Sequence, residues 1–428
     1  MTNKNKKTKT MKNIINLIIA TVGLTSLQAQ GDMRVSNGVI NITGNAAVNV
    51  VGNVQYDNGT SSEIDGELYL NNNWINNSGG TALNSNSIGT VFLSGNAQDI
   101  TGSDATTFYD LEFLNTGAIK TTLVNTFIKN SLNFNDAVLQ TDAFLTHVTN
   151  PALNSVQWSG GYVESNNLAG YFLRSTNSTA TYPFPVGNAS LTDIYRPVEL
   201  IPTSPDSSVF GVRLAASDPS FESGTSAAGA VAPFNVANKE ASLANLNTNF
   251  YHNIHRFSGA SNANARVFFF NSDQGTSQFS SMAKWNSSQS KWLNDNFSIQ
   301  NSPARPLFNN TDKMAVSRNV LDYTDDVYTL NELDIVLITT FTPNGDGFND
   351  VFKIPGLDRY PNNKLEVYNR WGELVYSASP YLNNWDGTNI SNGVKLQTDL
   401  AQEDTYFYVL TLDEKTDPIK NFLEIIRD

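Results

Sequence analysis

The chain has 428 residues, no cysteine, and 27 basic against 40 acidic residues, for a net charge of −13 at pH 7. Such an acidic surface repels nucleic acid phosphates and anionic lipid head groups, which argues against a nucleic acid-binding protein. The absence of cysteine excludes disulfides and thiol nucleophiles, so the fold must rely on a large core. The length predicts two or three domains.

Residues 1–30 have the three-part layout of a secretory signal peptide. An apolar run at 14–24 is followed by small and polar residues that include Ala29, and it is preceded by five lysines: Lys4, Lys6, Lys7, Lys9 and Lys12. The run is too short to span a bilayer, which takes roughly 20 residues; a buried core helix is the alternative. We expect cleavage near Ala29. Removing the five lysines leaves 22 basic and 40 acidic residues, a net charge of −18.

Short alternating runs punctuated by Gly and Asn predict an all-β fold class. In residues 31–170 similar runs recur as VINITGN at 39, ELYLNNNW at 67, TVFLSGN at 90, DLEFLNTG at 110 and SLNFNDAVL at 131, the last four separated by 23, 20 and 21 residues. The Asn and Gly that close each run take positive φ cheaply and could stack in ladders. Such repeats bury their apolar face by stacking, which predicts a parallel β-solenoid. An antiparallel sandwich with coincidental spacing is the alternative.

The pattern changes near residue 170. Prolines at 183, 185 and 197 are typical of edges and turns. Longer aromatic runs then follow up to residue 333, including VFGVRLAA, NFYHNIHRFSG, ARVFFF, MAKWN and KWLND. These runs predict a central β-sandwich over 171–333.

The last region, 334–428, contains three motifs in order. They are the loop TPNGDGFND at 342–350, the sequence NRWG at 369–372 between two strand-like runs, and a WDG turn at 385–387. Gly372 predicts a hairpin turn. About seven short strands in this region predict a small immunoglobulin-like sandwich.

These motifs resemble the C-terminal domain of gliding-motility-associated surface proteins of the Bacteroidetes. That domain is also called the type B sorting domain of the type IX secretion system, and the resemblance covers residues 338–428. The segments FPVG and YRPVEL further upstream loosely resemble parts of Bacteroidetes surface proteins. The resemblance implies export in two steps, in which the outer-membrane translocon and its partner proteins read the C-terminal domain. The residues it implicates in recognition are Arg370, Trp371, Gly372, Trp385, Asp386 and Gly387. For both tryptophans, packing in the core of the domain is the alternative.

Two groups of residues raise the question of metal binding. Asn344, Asp346, Asn349 and Asp350 offer oxygen ligands of the kind that Ca²⁺ prefers, although the spacing is not that of an EF-hand. The same residue types also form turns without any metal, so a structural turn is the alternative. His252 and His255 lie three positions apart, which in a strand places them on opposite faces and argues against zinc. His147 is a lone histidine in a strand-like run, for which we expect a structural role.

Catalysis has little support in the residues present. No GxSxG motif stands between a strand and a helix. The densest acidic set in the repeats comprises Asp99, Asp104, Asp110 and Glu112, of which Asp110 and Glu112 would share a face. Tyr109 and Lys120 are the nearest aromatic and basic side chains.

We therefore expect a non-catalytic protein at the cell surface or secreted, with a role in adhesion, surface assembly or gliding. Its expected partners are the type IX translocon and either a polysaccharide or another surface protein. We expect no nucleic acid ligand, no integral membrane segment and no cofactor apart from the calcium alternative. The competing hypothesis is a β-helix polysaccharide lyase or glycoside hydrolase exported by the same route.

Overall fold

The computed structural model describes residues 17–19, 26–36, 38–80, 82–165, 168–222, 224–226, 229–231, 234–274, 279–295, 298–301, 313–316, 327–345, 349–391, 394–413 and 417–427. Over the described residues the fold is all-β, as predicted. The described residues contain no α-helix. Their helical turns are short 3₁₀ segments at Leu153–Ser155, Pro219–Phe221, Asn271–Gln274 and Leu357–Arg359.

The amino-terminal strands form a parallel β-solenoid of about six turns. A short first sheet contains β1 (Leu17–Ile19), β4 (Ile40–Ile42) and β7 (Glu63–Ile64). The second, called the long sheet here, contains β2 (Ser26–Ala29), β5 (Ala47–Val50), β8 (Glu67–Leu70), β10 (Thr90–Leu93), β12 (Thr106–Phe113), β14 (Thr126–Asn133) and β16 (Leu145–Val148), with β17 (Val156–Gln157) beside β14. The third contains β3 (Met33–Val35), β6 (Val54–Tyr56), β9 (Trp74–Asn76), β11 (Ala97–Gly102), β13 (Ile119–Thr122), β15 (Val138–Gln140) and β18 (Tyr162–Glu164).

The register of the long sheet matches the repeat read from the sequence. Glu67 pairs with Thr90, Thr90 with Asp110, and Asp110 with Ser131. These are the first residues of the four evenly spaced runs, so the predicted solenoid is confirmed. The run VINITGN at 39 differs, because it supplies β4 of the first sheet. In the preceding coil, the residue of the long sheet that pairs with Glu67 is Ala47 of β5.

Asparagines shape the corners of the solenoid in the two ways predicted. Asn115 and Asn135 adopt positive φ values of 72° and 47° where two of the runs turn. At another corner, side-chain oxygens cap the backbone one coil further on: Asp32 Oδ1 accepts from Asn53 N, Asn53 Oδ1 from Asn73 N, and Asn73 Oδ1 from Asp99 N, at 2.8–2.9 Å. Satisfying these backbone N–H groups lets successive coils stack without loss of hydrogen bonds.

Part of the predicted signal peptide lies beside the first coil. β1 pairs in parallel with β4, and β2 pairs in parallel with β5. Removal of residues 1–30 stays a prediction.

The chain changes from parallel to antiparallel pairing close to residue 170. β19 (Tyr171–Thr176) pairs in parallel with β16 and antiparallel with β22 (Ser208–Ala215). The long sheet continues through β26 (Tyr251–Gly259), β32 (Val327–Leu333), β28 (Ser281–Asn286) and β29 (Lys291–Asn294), with β25 (Leu243–Leu246) beside β32.

A second central sheet contains β20 (Tyr182–Phe184), β21 (Val198–Pro202), β27 (Ala263–Phe269), β31 (Lys313–Val316) and β30 (Ser298–Asn301), and a separate ribbon pairs β23 (Gly224–Ser226) with β24 (Gly229–Val231). The two central sheets share one apolar core with the solenoid. Phe172 of the long sheet meets Phe184 of the second sheet edge to face, with centroids 6.1 Å apart. The central sheets therefore cover the last coils and continue their core.

The carboxy-terminal region has a core of its own. Its five-stranded sheet runs in the order β33 (Thr340–Phe341), β39 (Ile419–Ile425), β38 (Asp404–Thr411), β34 (Lys364–Tyr368) and β35 (Leu374–Ala378), and β36 (Thr388–Ser391) pairs with β37 (Val394–Leu400). An ion pair joins Arg359 to Glu332 at the end of the central region. The immunoglobulin-like topology stays a prediction.

Candidate functional site

The NRWG motif forms the turn between β34 and β35, as the sequence predicts. Asn369 Oδ1 accepts from the backbone N–H groups of Trp371 and Glu373 at 3.0 and 2.9 Å. Gly372 has a φ of 82°, a conformation that is costly for residues with a Cβ. The turn is thus held by its own first residue, and it presents the indole of Trp371 with 81% of its surface exposed.

Arg370 ties this turn to the neighbouring strand. Its Nε donates to Asp404 Oδ2 at 2.8 Å, at the start of β38. The hydrogen bond and charge of Arg370 lower the pKa of Asp404. Both side chains are open to solvent, so the pair orients the turn and contributes little to the stability of the domain.

Trp385 lies in the core and not on the surface. It is 1% exposed, its Nε1 donates to Thr388 O at 2.7 Å, and it stacks on Tyr376. The packing alternative therefore describes Trp385, while Trp371 is free to contact a partner. Direct recognition through the Trp385 side chain does not fit this burial.

Asp386 and Gly387 shape the turn behind Trp385. Asp386 Oδ1 accepts from the backbone N and the Oγ1 of Thr388 at 3.1 and 2.6 Å. Gly387 has a φ of 78°, and a Cβ at this position would lie 2.9 Å from Arg427 Nη2. Both residues serve the geometry of the turn.

Arg427 is a residue that the sequence reading missed. Its guanidinium donates to three backbone carbonyls, those of Pro343, Gly387 and Ala401, at 3.0–3.4 Å. It thereby fastens the end of the chain to the TPNGDGFND loop and to the WDG turn. A basic residue after the last alternating strand was the available signal.

A second missed feature is an apolar row on the outer face of the carboxy-terminal sheet. Tyr368 pairs with Leu374 on one side and with Phe407 on the other, and Phe407 pairs with Phe422. The exposed fractions of Leu374, Phe407 and Phe422 are 50%, 51% and 43%. The sequence signal was the run Tyr406–Phe407–Tyr408, which is aromatic on both faces of one strand.

The TPNGDGFND loop is partly described. Asp350 Oδ1 accepts from Gly345 N at 2.6 Å, and Gly345 and Asn349 adopt positive φ. Asn344 N donates to Thr342 O at 2.8 Å. These contacts form a turn, while Asp346 lies outside the described residues. The calcium alternative stays a prediction.

The acidic residues of the solenoid do not converge on one site. Asp110 and Glu112 share the outer face of the long sheet, as predicted, whereas Asp99 belongs to the third sheet. Asp104 caps a turn by accepting from Gly79 N at 2.9 Å. Lys120 is buried inside the third sheet, where it donates to Gln98 Oε1 at 2.5 Å and burial lowers its pKa to about 8. Lys120 therefore does not reach the face that carries Asp110.

Asp110 and Glu112 already accept hydrogen bonds from the next coil. Asp110 Oδ1 accepts from Asn130 Nδ2 at 2.8 Å, and Glu112 Oε1 accepts from Asn133 Nδ2 at 3.2 Å. Tyr109 lies at a shift in the strand register beside them.

The aromatic side chains nearest to Glu112 in the strand register are Phe92 and Tyr69, and not Tyr109. Phe92 pairs with Glu112 on one side and with Tyr69 on the other. The rings of Tyr69 and Phe92 stack face to face, with centroids 4.3 Å apart.

The histidines have structural surroundings. His252 is buried, its Nε2 donates to Arg196 O at 2.8 Å, and burial lowers its pKa to about 4. His255 lies edge to face against Phe257. His147 is hydrogen bonded to Ser175 at 3.0 Å, and burial lowers its pKa to about 4 as well.

Arg196, from the YRPVEL segment, is held in place by ionic and aromatic contacts. It is ion-paired with Asp273 and lies over the rings of Phe250 and Phe270. These contacts fix the segment against the central core.

Within the described parts of the chain, no three His, Asp or Glu side chains come together as metal ligands. In the same parts, no helix has the length and apolar character needed to cross a bilayer.

Comparison with known proteins identifies the carboxy-terminal region. Residues 335–425 match the family model described as the CHU_C type IX secretion signal domain. No curated protein and no solved structure matches the chain. The match begins with the separate carboxy-terminal core and includes the NRWG hairpin, the WDG turn and the outer apolar row. The chain therefore carries a type IX secretion signal domain at its carboxy-terminal end.

Proposed function

We propose that this protein is a non-catalytic cell-surface or secreted protein, exported by the type IX system, whose solenoid and central sheets act in adhesion or surface assembly. The observation that carries the export step is the secretion signal domain with its own core. The signal implies contact with the secretion machinery. Removal of residues 1–30 at the inner membrane is the first step of the proposed route.

The adhesive role rests on the form of the solenoid. Its about six turns expose long rows of in-register side chains, as in Glu67, Thr90, Asp110 and Ser131 on the long sheet. Extended repeat surfaces of this kind suit contact with elongated partners. The net charge of −13 favours an uncharged polysaccharide or a basic protein surface over an anionic ligand.

Export is tested by deleting residues 335–428 from the chromosomal copy in the parent organism. We expect the shortened chain to remain in the periplasm, and the full chain to reach the cell surface or the medium. The exposed Ile88 of the solenoid provides a matched control, because Ile88→Ser should leave export unchanged. Normal export of the shortened chain would show that the domain is not required as its secretion signal.

A polysaccharide-cleaving enzyme is the second candidate. It is favoured by Asp110 and Glu112 on one face, next to the Tyr69–Phe92 stack. The purified chain should release no reducing ends or unsaturated sugars from a broad polysaccharide panel if the proposed function is right. Turnover that disappears in Asp110→Asn would favour the enzyme.

A further inference from the structure

We propose that the outer apolar row of the carboxy-terminal sheet is the surface by which the secretion machinery binds this protein. The row consists of Leu374, Tyr368, Phe407 and Phe422, with Trp371 in the adjoining turn. The proposal rests on the proposed function, because it assigns a surface to the export step. It moves the centre of recognition from the WDG turn to β38 and its neighbours.

The outer row is not needed for the core of the domain. Tyr406 and Tyr408 of β38 point into the core, and Phe407 between them lies on the opposite, solvent-facing side with 51% of its surface exposed. Sheets with one solvated face usually place polar residues there. An aromatic residue at the middle of that face, with apolar neighbours on both sides, is the pattern of a contact surface.

The four strands align the row into one strip. Neighbouring strands lie about 4.8 Å apart, so four residues in register extend over about 15 Å. The cross-strand partners Tyr368–Phe407 and Phe407–Phe422 are in regular register, and Leu374 joins the strip beside Tyr368 across a register shift between Val367 and Tyr368. A narrow apolar strip of this kind suits a shallow apolar groove or a flat apolar surface on a partner protein.

Charged and polar side chains border the strip on both sides. On the turn side, Arg370 is ion-paired with Asp404, and the exposed Glu424 of β39 pairs in register with Thr405 of β38. On the other side, Glu366 is ion-paired with Lys364 at 2.7 Å. An apolar centre inside a rim of mixed charge is the layout of protein–protein interfaces.

The charges that border the strip indicate whether it binds a protein or a membrane. A surface that binds anionic lipid presents mainly Lys and Arg, whereas this rim carries Asp404, Glu424 and Glu366 as well as Arg370 and Lys364. The strongly acidic chain would also be repelled from such lipids. We therefore assign the strip to a protein subunit of the secretion machinery, and a lipid surface is an outcome that the test can reveal.

The test uses Phe407→Thr and Phe422→Thr in the full chain, expressed in the parent organism. Threonine removes the aromatic ring but retains a strong preference for strands. We expect the fraction of chain outside the cell to fall at least about tenfold, as for the loss of a central anchor of an interface, with the chain accumulating in the periplasm. Phe407→Leu should restore export, and Ile88→Ser is the matched control on the solenoid.

Folding is followed separately through the Tm of the purified variants, which we expect to change little because these side chains lie outside the core. If Phe407→Thr lowers Tm, the export of Leu374→Thr, a substitution in the edge strand β35, is measured instead. Export of the Thr variants at the wild-type level overturns the assignment of this surface. In that case, if the chain that lacks residues 335–428 still remains in the periplasm, the proposed export function stands.

Retention of the Thr variants in the periplasm supports a protein partner if the variants and the wild-type chain bind equally to vesicles of anionic and zwitterionic lipid. Loss of vesicle binding in these variants would instead assign the strip to lipid and overturn the proposal.

Discussion

The indole of Trp385 stacks on the ring of Tyr376, with centroids 5.0 Å apart and an interplanar angle of 27°. This contact places Trp385 at the centre of the carboxy-terminal core, whereas Trp371 lies in the open turn. Trp385→Ala should lower the stability of the domain by about 3–5 kcal/mol because it removes a large buried side chain. Trp371→Ala should change stability by less than about 0.5 kcal/mol. Calorimetry of the two purified variants checks the difference.

The same two variants separate folding from recognition. Trp371→Ala should reduce export with little change in Tm, since its side chain adjoins the outer apolar row. Equal destabilisation by both substitutions would mean that the exposed position of Trp371 is wrong.

Arg427 should contribute to stability through its three backbone carbonyl partners. Arg427→Ala leaves the carbonyls of Pro343, Gly387 and Ala401 without this donor, and we expect a loss of about 1–3 kcal/mol. Arg427→Lys keeps the charge but not the planar fork, so it should recover part of the loss. Urea unfolding of the carboxy-terminal core measures both effects. Identical stability of the wild type and Arg427→Ala would contradict a stabilising role for the hydrogen bonds of Arg427.

His252 predicts loss of stability on acidification. Its pKa is about 4 in the folded protein because of burial, and an unfolded histidine has a pKa of about 6.5. The unfolded state therefore binds more protons between these values, so the contribution of His252 is complete above about pH 6.5 and is lost as the pH falls towards 4. The loss is on the order of 3 kcal/mol.

The comparison variant is His252→Gln, whose amide can still donate to Arg196 O. Asp295, whose pKa burial raises to about 6, changes stability in the opposite direction over the same range. The difference between wild type and variant removes that contribution, which is common to both. A His252→Gln protein with the same acid sensitivity as the wild type would disprove the assignment.

Calcium should leave the carboxy-terminal domain unaffected if the TPNGDGFND loop is a turn. A ligand at a hundredfold excess over its Kd would stabilise the native state by about 2.7 kcal/mol, which raises Tm by roughly 10 °C in a domain of this size. We expect no such shift in the full chain. A Ca²⁺-dependent rise that is absent in Asp346→Ala would establish the calcium site.

The sequence predicts the solenoid well because its coils repeat a local pattern. The runs starting at Glu67, Thr90, Asp110 and Ser131 could be aligned by eye, and strand pairing follows that alignment. The run at 39 misled because it has the same alternation but belongs to another sheet. Alternation shows which residues share a face, but it does not show which sheet that face belongs to.

The candidate sites were harder to predict, since burial depends on distant parts of the chain. Trp371 and Trp385 sit in similar Gly-containing turns, and their roles differ because Phe341, Phe352 and Tyr376 pack around Trp385. The sequence shows Lys120 only as the basic residue nearest to the acidic set, whereas the fold buries it beside Gln98. The outer row escaped notice because it arises from three different pairings between strands.

We expect the carboxy-terminal domain to act as a sorting signal for type IX export, and transferring it to another protein is the sharpest test. Residues 327–428, which retain the Arg359–Glu332 ion pair, are fused to a reporter that otherwise stays in the periplasm of the parent organism. The fraction of reporter accessible to added protease on intact cells, or found in the medium, is then measured. We expect the fusion to leave the periplasm, and a smaller fraction of it to do so when it carries Phe407→Thr. A fusion that remains in the periplasm like the unfused reporter would contradict this expectation.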